Sequence, residues 1–335
     1  SEVMAAAFRA RWALEFDGAP DMEATSRDFL GVAYRRVGSH EMELSCGKAL
    51  RDLADKLTDL PKPRGTTCAT PLPENGLRQL QEGPSDGNPL MPTDLLPRAR
   101  SIVGLGGWLV CHVRPDAFLA FVAVSQNLAS NFTRHAWERI LQWAHYLVDT
   151  RDLKLILRRT GCAPVQYVDS SALNGPRGGS FGGHVTQFVE GDPAAPDAKV
   201  SGAISWRCVV PRVLGDSSAA AELIMCSIAL KQTLGERMLA RELGQTPPGP
   251  TSVYMDASAV LHGAEAERVS RETRYLAARY EMLRSAVHDL HVALKKVATD
   301  FNTGDVLTKA LVGRAFRLHR SRILGHPSEA TTDAA

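Results

Sequence analysis

The chain has 335 residues, 44% of them hydrophobic and 23% charged, with a formal net charge of +2. That balance excludes a disordered or fibrous chain, and the length suffices for one large domain or two of ordinary size. A charge so close to neutral also argues against a surface that is basic all over, leaving only a local basic face for gripping phosphates.

The longest apolar run, Ala117 to Val124, is far short of the ~20 residues that cross a bilayer. The start, SEVMAAAFRARW, has no apolar core or cleavage pattern of a signal peptide. Its arginines give it some likeness to an organelle transit peptide, but the spacing of Met4, Phe8, Trp12, Leu14 and Phe16 fits an amphipathic helix over residues 2–17 better. Six cysteines (Cys46, Cys68, Cys111, Cys162, Cys208, Cys226) are scattered without a C-x-x-C pair. Several lie in apolar runs, which reads as reduced core thiols of an intracellular protein. The ten histidines show no zinc-ligand spacing with them.

In chain order, residues 28–57 read as a β-hairpin with Gly38 and Ser39 at its turn, running into a helix from about Cys46 to Leu57. Residues 58–98, rich in proline, glycine and polar side chains, read as a linker or an extended wrapping segment. From Pro97 the pattern is helical to about residue 150, as a small bundle, with Pro115 and Asp116 starting a new helix. LKLILRR and PVQYVDSS, joined at Thr160-Gly161, read as a second hairpin that ends at Asp169. HVTQFVE and GAISW are further strands, separated by a surface loop at 191–199.

Ser217 and Ser218 then stand where a helix N-cap is expected, and Gly244 closes a long helix. Glu222, early in that helix, either complements the helix dipole or is aimed across the turn. TSVYMD is a strand ending at Asp256 that enters a short helix. A long charged helix, a last strand in DLHVALKKVAT and a C-terminal helix from Asp305 complete the pattern. Hairpin strands first and strand–helix units later make a mixed sheet flanked by helices, an α/β fold.

Several stretches resemble the C-terminal part of a copia-type retrotransposon Pol polyprotein. In that family a strand ending in Ser-Trp-Lys-Ser-Lys-Lys-Gln leads to Ser-Ser-Thr-Glu-Ala-Glu-Tyr on a helix. Ser205-Trp206-Arg207 and Ser217 to Leu223 match it, with Glu222 on the second glutamate and Ala220 on the first. Upstream, Phe29-Leu30-Gly31-Val32, Leu44-Ser45-Cys46-Gly47-Lys48, Asp52-Leu53, Thr70-Pro71-Leu72, Val113-Arg114-Pro115-Asp116 and Arg139-Ile140-Leu141 follow the family's order after its polymerase aspartates. The Tyr-x-Asp-Asp turn of the polymerase palm occurs nowhere in this chain, so no nucleotide polymerisation is expected of it.

The resemblance implies a thumb or connection remnant at 1–57, a linker at 58–98 and a helical connection at 99–151. It then implies a ribonuclease H-like domain at 152–326 and a tail at 327–335. It also implies a nuclease site of Asp169, Glu222, Asp256 and Asp305, which fall on the family's four carboxylate positions. Such carboxylates would act as catalytic ligands of two magnesium ions about 4 Å apart, cutting the RNA of an RNA–DNA hybrid.

The surroundings depart from the motif. Ser171 and Ala172 replace an aspartate and a tryptophan, Val209-Val210 replace two lysines, and Ala257 replaces an asparagine. Those losses favour an alternative: a domesticated, non-catalytic subunit that binds other proteins, with Val209, Val210 and parts of 58–98 covered by a partner or by the loop at 191–199.

Overall fold

The computed structural model describes residues 26–63, 68–158, 163–171, 175, 179–193, 195, 198–213, 215–245, 247–266 and 274–327. The expected helix at 2–17 and the tail beyond residue 327 lie outside them.

Two sheets organise the described residues. The first is antiparallel, in the order β1 (Ser26–Phe29), β2 (Val32–Arg36), β3 (Glu41–Ser45) and β4 (Leu155–Arg158). The hairpin around Gly38 and Ser39 forms as expected. A second, tighter turn at Leu30 and Gly31 joins β1 to β2 with φ of 49° and 80°, the two left-handed residues of a type I′ turn. Leucine is an unusual occupant of that position, and Leu30 is exposed.

The second hairpin expected, between 153–159 and 164–171, is not formed. β4 pairs antiparallel with β3 instead, Leu44 opposite Leu155 and Glu41 opposite Arg158. Glu41–Arg158 and Glu43–Lys154 contacts, each of 2.9 Å, line the same seam. Complementary charge and a shared apolar face thus fix a long-range partner that local turn signals do not reveal.

After β3, helix α1 (Gly47–Leu57) buries Ala49, Leu50, Leu53 and Leu57. Within 58–98, Cys68, Leu72, Leu77 and Leu80 are buried and a short helix α2 (Gly76–Gln81) forms, so this segment wraps the body of the protein. The helical region comprises α3 (Leu96–His112), α4 (Phe118–Ser125), the single turn α5 (Asn127–Ser130) and α6 (Arg134–Asp149), the last capped by the Thr133 hydroxyl. Gly106 lets α3 and α6 close together: a β-carbon there would lie 2.4 Å from the Trp143 ring.

Asp116 does more than start a helix. It forms a two-pronged pair with Arg114 at 2.8 and 2.9 Å, and both side chains are fully buried. The Tyr146 hydroxyl donates to the same carboxylate, and Arg114 also donates to the Thr150 hydroxyl and carbonyl. Every charge in this knot has a partner, which is the condition for burying it.

The second sheet contains β5 (Pro164–Ser171), β6 (Phe181–Glu190), β7 (Lys199–Val200), β8 (Ser205–Val209), β9 (Thr251–Met255) and β10 (Val292–Lys296). β5, β6 and β8 are antiparallel neighbours, β9 runs parallel to β5, and β10 parallel to β9. This is a mixed α/β sheet flanked by helices, as the sequence implies. Helix α7 (Ser218–Glu242) is capped by Ser217, whose hydroxyl accepts from Ala220 N–H at 3.2 Å, and Gly244 ends it with φ of 68°. α8 (Ser258–Glu265) and α9 (Ala277–His288) cover the same face, while residues 267–273 of the expected long helix are outside the description.

The expected helix beginning at Asp305 is shorter. Residues Thr303–Leu307 form a tight 3-10 turn, and α10 begins only at Gly313, running Gly313–Leu324. One continuous core joins the helical region to this sheet, from Leu53 and Trp143 to Phe181, Val185 and Phe316. Trp206 adds a hydrogen bond of 2.9 Å from its indole to the Val110 carbonyl.

Val209 packs on the core beneath α7 and Val210 on the helical region, where Val210 lines a cavity of about 500 Å³ with Leu77, Leu80 and Phe181. Among the described residues, the chain's own core and helical region are thus neighbours of these two valines. Among the cysteines, Cys46, Cys68, Cys208 and Cys226 are buried free thiols, but Cys111 is exposed, and Cys162 lies outside the described residues.

Candidate metal centre

The parallel pairing of β5 and β9 brings two carboxylates to one edge of the sheet. The register pairs Gln166 with Val253 and Tyr167 with Tyr254, so its continuation sets Asp169 level with Asp256. Asp169 is opposite Gly183 on β6, where a β-carbon would meet that of Leu307 at 2.6 Å. Glycine at this position therefore lets the turn at 303–307 close over Asp169. Asn302 pins the turn to β5: its amide donates to the Val168 carbonyl at 3.0 Å and its oxygen accepts from Gly304 N–H at 3.2 Å.

The turn delivers Asp305. Carboxylate oxygens of Asp169, Asp256 and Asp305 all lie within 4.8 Å of one another. Asp169 and Asp305 are buried and Asp256 is half-buried. Thr308 donates its hydroxyl to Asp169, and Thr299 donates to Asp256 at 3.1 Å. One oxygen of Asp305, Oδ1, is buried with no hydrogen-bond partner.

Glu222, in the second turn of α7, stands outside the 4.8 Å group but belongs to the same electrostatic field. Burial, followed by the Asp169 and Asp256 carboxylates, pushes its carboxyl up to about 9, although the Ser170 backbone N–H supports the charged form. Burial and then Asp169 raise Asp305 to about 7. Asp169 is raised too, chiefly by burial and against the pull of Lys309. Carboxylates crowded into a dry site in this way resist ionising together.

Lys309 is the residue that sequence reasoning missed. Its Nζ lies 2.8 Å from Asp305 Oδ2 and 3.5 Å from Asp169 Oδ1. Burial would lower its pKa, but the Asp169 and Asp305 carboxylates outweigh that and hold it above the ordinary lysine value. The four-residue spacing from Asp305 was the available signal. Arranged so, the oxygens suit a hard divalent ion: all donors are carboxylates, and one of them is an unsatisfied buried acceptor.

No protein-family model matches the chain. A retrovirus-related Pol polyprotein from transposon TNT 1-94 of Nicotiana tabacum is 26% identical over 232 residues, a match covering 69% of this chain and 16% of that polyprotein. Two solved structures of a foamy viral protease-reverse transcriptase in complex with double-stranded DNA are similar to it. One is 15% identical with a TM-score of 0.43, covering 82% of this chain and 38% of that one. The other is 14% identical with a TM-score of 0.42, covering 82% of this chain and 45% of that one. Among the described residues, no helix is long and apolar enough to cross a membrane.

Proposed function

We propose that this chain, a relative of the Pol polyproteins of copia-type retroelements, is a magnesium-dependent nuclease that cuts the RNA strand of an RNA–DNA hybrid. The observation that carries the reading is the meeting of Asp169, Asp256 and Asp305 oxygens within 4.8 Å at one sheet edge. The nuclease unit would be 152–326, its first strand β4 shared with the preceding sheet, and residues 1–151 would be derived from the thumb and connection.

Asp169, Asp256 and Asp305 would hold the metal, with Glu222 beside them. A divalent ion there would supply Lewis-acid activation of water and neutralise charge at the scissile phosphate. The chain's own contribution is placement. Thr308 and Thr299 fix the orientation of Asp169 and Asp256, and the Asn302 anchor keeps Asp305 against β5. Packing α7 against β5 keeps Glu222 largely out of water, where its interaction with developing charge is strengthened.

Purified protein should cleave the labelled RNA strand of a hybrid with magnesium present. Asp256→Asn, which removes charge at nearly constant volume, should abolish cleavage and leave the fold intact. Equal cleavage by the variant would trace the activity to a contaminant. The lysine pair replaced by Val209-Val210 favours a second reading, a non-catalytic protein-binding subunit. Weak hybrid binding by a chain that co-purifies with a protein companion would support that reading over the first.

A further inference from the structure

The arrangement implied by the resemblance has two ions among four carboxylates. The side chains described above leave room for a different balance of charge. Lys309 is not a surface lysine that happens to lean over the site. Its backbone N–H and that of Thr308 both donate to the Asp305 carbonyl, at 2.9 and 3.1 Å, and the Thr308 hydroxyl is tied to Asp169. The root of the lysine is thus clamped to two of the carboxylates its tip neutralises.

We propose that the site takes a single divalent cation, among Asp169, Asp256 and the free Oδ1 of Asp305, and that the Lys309 ammonium stays between Asp169 and Asp305 as the second cation. The proposal rests on the nuclease reading and refines it. Glu222 stands outside the group of three meeting carboxylates, and the three aspartates of that group, as ligands, are balanced by one divalent ion and one ammonium. A second divalent ion leaves an excess of positive charge in a largely buried site unless the lysine is expelled. Two observations locate the two cations separately. Lys309 occupies Asp305 Oδ2 and the Oδ1 side of Asp169, while Asp305 Oδ1 is buried without a partner and Asp256 is half-buried. Expelling Lys309 requires breaking a contact of 2.8 Å whose origin is only four residues away.

The test uses manganese(II), which accepts the same all-oxygen ligand set and is paramagnetic. The wild-type chain and Lys309→Met are titrated with it by calorimetry, and bound ions are examined by electron paramagnetic resonance. The expected result is one bound ion per wild-type chain, with the spectrum of an isolated ion. Lys309→Met, with the ammonium gone, should bind two ions and show an exchange-coupled pair. Lys309→Arg should return to one. Two coupled ions in the wild type would overturn the role given to Lys309 while leaving the nuclease reading intact. A Lys309→Met protein that folds and still binds only one ion would also overturn it. No bound manganese in the wild type would remove the metal centre itself, and the proposal with it.

Discussion

The sharpest consequence of the site's electrostatics concerns Glu222→Gln. The native Glu222 carboxyl, raised to about 9 from an ordinary 4.5, keeps its proton at neutral pH, whereas the unfolded chain has lost it. Between those two values the native state binds more protons than the unfolded state, so stability falls as pH rises. At pH 7 the loss amounts to about 3 kcal/mol. Glutamine is neutral at every pH and still accepts the Ser170 N–H. In chelator, the variant should therefore match the wild type near pH 4.5 and exceed it at pH 7 by about 3 kcal/mol, or roughly 4–5 °C in melting temperature for a chain of 335 residues. Urea and thermal denaturation at pH 4.5, 7 and 8 measure the gap. A gap that is constant over that range, or a variant less stable throughout, would refute the account of Glu222 as a carboxyl buried beside other carboxylates.

Other expectations follow from packing. Asp116→Ala should cost about 3–5 kcal/mol, because it strands the fully buried Arg114 guanidinium, whereas Tyr146→Phe should cost about 1 kcal/mol; chemical denaturation separates them. Gly183→Ala should force the turn at 303–307 away from β5, since its methyl would meet the Leu307 β-carbon at 2.6 Å. Thermal stabilisation by added magnesium should then largely disappear, while the far-ultraviolet circular dichroism of the fold persists.

Local signals carried much of this molecule. The Gly38-Ser39 turn, the Ser217 cap, the Gly244 stop and the strand ending at Asp256 are each decided within a few residues, and each appears where the sequence puts it. The strand at 155–158 shows the opposite case. Its neighbour in sequence offers a plausible turn, but its partner β3 lies more than 100 residues away and is selected by Glu41, Glu43 and Leu44. The wrapping segment was opaque for a related reason: Leu72 is buried on irregular backbone, and Leu77 and Leu80 on a helix of only six residues, too short a run to show a period.

At the candidate site, Asp169, Asp256 and Asp305 were legible as residues in motifs. Their meeting depends on a parallel register and on a glycine opposite Asp169, and neither can be read from a single strand. Lys309 escaped notice because a lysine four residues after an aspartate usually marks an exposed helix pair. Here Asp305 lies on a 3-10 turn closed over a sheet edge and Lys309 just beyond its end, so the same spacing turns the ammonium inward.

The most direct test of the metal centre is anomalous diffraction from crystals of the full chain grown with manganese(II). A peak is expected within ligand distance of Asp169, Asp256 and Asp305, with the Lys309 ammonium still beside Asp305. Clear density for these side chains with no peak among them, at a manganese concentration that supports cleavage, would contradict it.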